Sequence, residues 1–136
     1  MARILLIEDD ALVRETLMAQ LAGAGHEVVP AAHGGEGLKE FERTSFDLVV
    51  TDILMPTVEG LETIKRLREL DSSVAIIAMS GGARSLMADS GNPRIDVLRF
   101  ADAFGATRTL HKPFSRAELL AAVDDCLRTA TAGSRD

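Results

Sequence analysis

Residues 46–56 read Phe46-Asp47-Leu48-Val49-Val50-Thr51-Asp52-Ile53-Leu54-Met55-Pro56. Leu48, Val49 and Val50 are consecutive apolar residues, with no alternation that would leave one face in water. Such a run is expected of a strand buried on both faces, the habit of parallel sheets. The run ends on a carboxylate, Asp52, and Pro56 then breaks the chain. A buried strand closed by a charge and a turn is half of a strand–helix unit.

Working outward, the same unit recurs. Ile4 to Ile7 is a second apolar run, followed at once by Glu8, Asp9 and Asp10. Val13, Leu17 and Leu21 then recur at helical spacing until Gly23 and Gly25 stop the helix. His26 to Ala31 holds Val28-Val29 and reads as a short strand, and Glu36 to Arg43 as a short helix with Leu38 and Phe41 on one face. Leu61, Ile64 and Leu67 mark a third helix, with Glu62 and Arg66 as an i,i+4 pair, and Val74 to Met79 a buried strand. Ser80 to Asn92 is rich in Gly and Ser and reads as a long loop. Pro93 is placed to open a helix reaching about Phe104, before Gly105. Thr107 to Leu110 is a weak fifth strand, Ser115 and Glu118 form a capping box for a last helix, and Thr129 to Asp136 reads as a frayed tail. Five strand–helix units predict an α/β fold, a doubly wound five-stranded parallel sheet with helices on both faces. The domain is expected to span residues 1–129, with 130–136 as a disordered tail.

Composition agrees with one globular domain: 136 residues, 46% hydrophobic and 26% charged. A net charge of −6 argues against a nucleic-acid-coating surface. The apolar run at Ile4–Ile7 is too short for a signal peptide or membrane span, so a cytoplasmic protein is expected. The single cysteine, Cys126, lies among Leu119, Leu120, Val123 and Leu127 and reads as a small buried hydrophobe. His26, His33 and His111 fall in separate segments with no metal-ligand spacing.

In sheets of this kind ligands bind at the carboxyl ends of the strands. There the sequence places Asp9 and Asp10, Asp52, Ser80 and Lys112, after the first, third, fourth and fifth strands. Any one has a bland explanation: a helix start, a turn, a loop hydroxyl, a solvated lysine. The full set at one rim does not. Three carboxylates brought together repel one another, and a bound cation relieves the conflict. Oxygen ligands and few carboxylates suit Mg2+, which keeps waters and shares its shell with phosphate. Lys112 would neutralise phosphoryl oxygens, Ser80 could donate a hydrogen bond, and Asp52 could act as nucleophile.

Four motifs in order then resemble the receiver domains of bacterial two-component response regulators. They are Ile4 to Asp10, Asp47 to Pro56, Ser80 and Lys112-Pro113-Phe114. The resemblance covers residues 2 to about 128 and implies the (βα)5 flavodoxin-like receiver fold. It implies that Asp52 is the phosphoacceptor, that Asp9, Asp10 and the Leu54 backbone carbonyl join Asp52 in holding Mg2+, and that Ser80 is the switch hydroxyl. It implies that Lys112 pairs with acids and phosphate, that the Lys112–Pro113 bond is cis, and that the donor is a phosphohistidine on a histidine kinase or phosphotransfer protein. On this reading the chain is a single-domain signalling protein, a phosphoprotein of a phosphorelay and not an enzyme in the ordinary sense; the alternative is a pseudo-receiver that binds partners without phosphorylation.

Two departures stand out. The position three before Lys112, usually an aromatic switch residue in that family, is Thr109. Ser80 and Lys112 are 32 positions apart, longer than usual, and residues 81–104 are expected to dock a downstream protein. Two enzyme-like or binding-module rivals fit worse. A phosphatase with an aspartate nucleophile needs an acid two residues on, where Leu54 stands, and a nucleotide-binding module needs glycines where Glu8-Asp9-Asp10 stand.

Overall fold

The computed structural model describes residues 2–53, 58–80 and 105–134. One sheet contains β1 (Arg3–Ile7), β2 (Glu27–Ala31), β3 (Leu48–Asp52), β4 (Ala75–Ser80) and β5 (Arg108–His111). All four pairings are parallel and the spatial order is β2-β1-β3-β4-β5. The helices among the described residues are α1 (Ala11–Gly23), α2 (Gly34–Arg43), α3 (Val58–Leu70) and α4 (Arg116–Ser134). The doubly wound parallel sheet expected from the apolar runs is the fold the chain adopts.

Strand side chains alternate between faces, so an unbroken apolar run feeds two cores at once. Ile4, Leu6, Leu48, Val50, Ile77 and Met79 face one layer, packed with Leu17 and Leu21 of α1 and Leu119, Val123 and Cys126 of α4. Leu5, Ile7, Val49, Ile76 and Ala78 face the other, packed with Ile64 and Leu67 of α3, while Leu38 and Phe41 of α2 close its edge. Each fully buried Leu or Ile side chain contributes about 1.5–3 kcal/mol of transfer free energy. Cys126 is one of these core residues, and burial pushes its thiol pKa up, as suits a packing role.

Local chemistry sets the helix ends. Gly25 has φ +96°, a left-handed conformation that turns the chain out of α1 into β2. Ser115 Oγ accepts from Glu118 N at 3.0 Å while Glu118 Oε1 accepts from Ser115 N at 2.8 Å, so the expected capping box starts α4. α2 begins at Gly34, earlier than the apolar spacing suggests, because His33 Nδ1 caps it by accepting from Glu36 N at 3.3 Å. α4 runs on to Ser134. Ala130 and Ala132 are strong helix formers, and no proline stops the ladder before Ser134. The expected loop and helix over residues 81–104, and Leu54 and Pro56, lie outside the described residues. Among the described residues no helix is long and apolar enough to cross a membrane.

Gly60 of α3 lies directly against the end of β3. A Cβ there would come within 2.9 Å of the Ile53 Cα, which is backbone and cannot rotate away. An ordinary glycine-to-alanine change inside a helix gains up to about 1 kcal/mol. Overpacking costs about 1–3 kcal/mol and wins here. Gly60→Ala should therefore lower stability by about 1 kcal/mol or more, read as a lower midpoint in urea unfolding.

Candidate functional site

The strand order fixes where a site can form. The chain leaves β1 for β2 on one side and returns to β3 on the other, so the sheet changes direction between β1 and β3. At such a switch point the connections diverge and leave a crevice at the carboxyl ends of the strands. Ile7 is in register with Thr51, so the residues one step further along, Glu8 and Asp52, stand side by side at that crevice. On β4 and β5, Asp52 is in register with Met79, and Ser80 with His111. Lys112 follows directly.

The four charged groups meet. Lys112 Nζ donates to Glu8 Oε1 at 2.8 Å and to Asp52 Oδ2 at 3.4 Å. Glu8 is only 1% exposed, and its second oxygen accepts from Asp10 N at 3.1 Å. Glu8, Asp9 and Asp52 each present a carboxylate oxygen within 4.8 Å of the others. Asp9 is exposed and Asp52 buried, so the cluster opens to solvent on one side. Beside it a pocket of about 180 Å³ is lined by residues including Asp9, Asp52, His33 and Thr63. The Lys112–Pro113 peptide bond is cis.

Burial dominates the protonation of Glu8. It pushes the Glu8 carboxyl up to about 7, against the downward pull of the Lys112 hydrogen bond, and the Asp52 charge adds to the rise. Burial also disfavours the charged form of Lys112, but Glu8 and Asp52 together outweigh it and hold the amine above its ordinary range. Lys112 is thus the fixed positive charge of the crevice. One ammonium facing three carboxylates leaves an excess of hard oxygen donors, a donor set that fits a small divalent cation such as Mg2+.

The structure sorts the residues singled out from the sequence. Asp9, Asp52 and Lys112 are brought together. Asp10 is not in the cluster: its Oδ1 caps α1, accepting from Leu12 N at 2.9 Å and Val13 N at 3.1 Å. The acidic pair at the rim is Glu8 and Asp9, one residue earlier than the expected Asp9 and Asp10. The signal was present, since an aspartate immediately before the first helical residue is a preferred cap. Counting back from Ala11 assigns Asp10 to the helix and frees Glu8 for the crevice. Ser80 ends β4 at the same rim, but the position of its hydroxyl is outside the described part. Thr109 is half-buried on β5, in register with Ala78. The Leu54 carbonyl lies outside the described residues.

A folded pKa near 7 against an unfolded value of 4.5 means that the folded state holds the Glu8 proton more tightly. That contribution is present in full below 4.5 and is lost as pH rises through about 7. In metal-free protein, the stability of wild type relative to Glu8→Gln should therefore fall steadily between those two values and level off above. Urea unfolding at a series of pH values reads it; a difference that rises with pH over that range contradicts the assignment.

Comparison with known proteins agrees with this geometry. The family model described as "Response regulator receiver domain" matches residues 4–124. The chain is 34% identical over 131 residues to the response regulator receiver protein CpdR of Brucella abortus, covering 96% of this chain and 100% of that protein. It is 36% identical over 126 residues to the transcriptional activator protein PfeR of Pseudomonas aeruginosa, covering 93% of this chain but 38% of PfeR. The chain therefore spans well under half of that regulator. A crystal structure of a response regulator receiver domain protein from Clostridium thermocellum superposes with a TM-score of 0.83 at 25% identity, covering 97% of this chain and 98% of that one. With the sheet order, the rim of acids and lysine, and the family match over most of its length, the chain belongs to the response regulator receiver domains, the signalling modules of two-component systems.

Proposed function

We propose that this receiver domain accepts a phosphoryl group on Asp52 in a Mg2+-dependent reaction. The observation that carries the reading is the Lys112 ammonium held 2.8 Å from buried Glu8 and 3.4 Å from Asp52, at the mouth of an oxygen-lined crevice. A carboxylate oxygen of Asp52 attacks phosphorus, the bond from phosphorus to the donor nitrogen or oxygen breaks, and an acyl phosphate forms on Asp52. Phosphoryl transfer depends mainly on positioning and neutralisation of charge. Lys112 moves from countering carboxylates to countering phosphoryl oxygens. Asp9 and Asp52 offer oxygens to the cation, whereas both oxygens of Glu8 are already engaged by Lys112 and the Asp10 amide. Mg2+, when bound, supplies further neutralisation of the phosphoryl oxygens. The Leu54 carbonyl and the Ser80 hydroxyl are proposed as the remaining ligand and switch group.

The donor proposed is a phosphohistidine on a histidine kinase or phosphotransfer protein. The output proposed is contact with another protein, through residues 81–104, in the cytoplasm. A stand-alone receiver spanning residues 1–129 is the architecture proposed, supported by the match to the whole of CpdR. Nothing acidic stands at Leu54 or Gly82 to activate water, so the acyl phosphate is expected to be long-lived.

Intact-mass spectrometry after incubation with acetyl phosphate tests the reading. Wild type with MgCl2 should gain one phosphoryl group. Chelation of the metal, or Asp52→Ala, should abolish the gain. Lys112→Ala should slow it by about a hundredfold, the order expected on losing a donor to developing negative charge. Wild type that stays unmodified, even with a phosphohistidine donor, would instead place the chain among pseudo-receivers.

A further inference from the structure

Arg14 lies in the first turn of α1, six residues beyond Glu8, and is half-buried. Its Nη1 reaches back over the turn and donates to the backbone carbonyl of Glu8 at 2.7 Å. Among the described residues Arg14 forms no salt bridge, although Glu8, Asp9 and Asp10 all lie in the turn it spans. The guanidinium is spent on a carbonyl. On its other side, the Glu8 peptide donates from its amide to Ala31 O at 3.0 Å. The backbone of the buried acid is therefore held on both sides, by β2 through the Glu8 amide and by α1 through the Glu8 carbonyl.

We infer that Arg14 is a positioning residue for the Mg2+ site: its bond to the Glu8 carbonyl fixes the turn from which Glu8 meets Lys112 and Asp9 meets Asp52. This rests on the Mg2+ reading given above. Asp10 caps α1 and so holds the far end of the turn, and Arg14 holds the near end. A turn fixed at both ends presents Asp9 without the entropy cost of ordering it when the cation arrives. Partners that orient metal ligands in this way typically contribute about 10–100-fold to affinity.

The sign of the effect separates this role from simple electrostatics. As a mere positive charge near the site, Arg14 would repel a cation, and its removal would tighten Mg2+ binding. As a positioning residue, its removal weakens binding.

Calorimetric titration of MgCl2 into the metal-free protein reads the difference directly, without any phosphorylation step. Arg14→Ala should bind Mg2+ about tenfold more weakly than wild type, with a thermal midpoint in the absence of metal close to that of wild type. Unchanged or tighter binding overturns the inference. If Arg14→Ala does not fold, Arg14→Met is titrated instead. It keeps the aliphatic stem but not the donor to the Glu8 carbonyl, so weaker binding supports the role and wild-type or tighter affinity overturns it. Wild type that takes up no Mg2+ at all defeats the metal reading itself, and this inference with it.

Discussion

The structure turns on one electrostatic constraint: three carboxylates at the switch point of a parallel sheet, faced by a single lysine. Strand order puts Glu8 and Asp52 next to each other, and like charges at that separation in a partly dry crevice disfavour one another. Lys112 is what makes the arrangement tolerable in the folded state. Burying a charge pair costs desolvation that the attraction only partly returns. A protein selected for stability alone would have apolar residues here, as it does at Ile4 to Ile7 of β1 and Leu48 to Val50 of β3. The tension is relieved further by anything that brings more positive charge to the crevice, which is why the rim suits a cation.

The fold was legible in the sequence because its dominant cause is. Ile4–Ile7, Leu48–Val50 and Val74–Met79 are apolar without alternation, and a strand with two buried faces has few alternatives. Glycines and the Ser115 box marked boundaries for equally local reasons. Boundaries missed were those set by less common chemistry. A histidine rarely suggests a cap, yet His33 starts α2 with its imidazole nitrogen.

The site was legible by position rather than by residue. Knowing that ligands collect at strand ends was enough to gather Asp9, Asp52 and Lys112. Which two of three consecutive acids reach the crevice depends on where α1 starts, and that in turn on which acid caps it. Asp10 is drawn off by two backbone amides, so Glu8 takes the inner place. Glu8 escaped notice because a glutamate after a strand resembles any solvated charge until the lysine that buries it is known. Arg14 escaped for a related reason: its partner is a carbonyl, which no side-chain motif records.

Glu8 and Lys112 are separated by 104 positions in the chain. Their pairing is thus among the longest closures the molecule makes, and it is unavailable to any chain that has not yet emerged past β5. An N-terminal stretch that includes β3 but stops before β5 carries all three acids and lacks Lys112. The charge balance of the crevice is in that sense a property of the whole sheet: it is completed only when its first strand and its last are both in place.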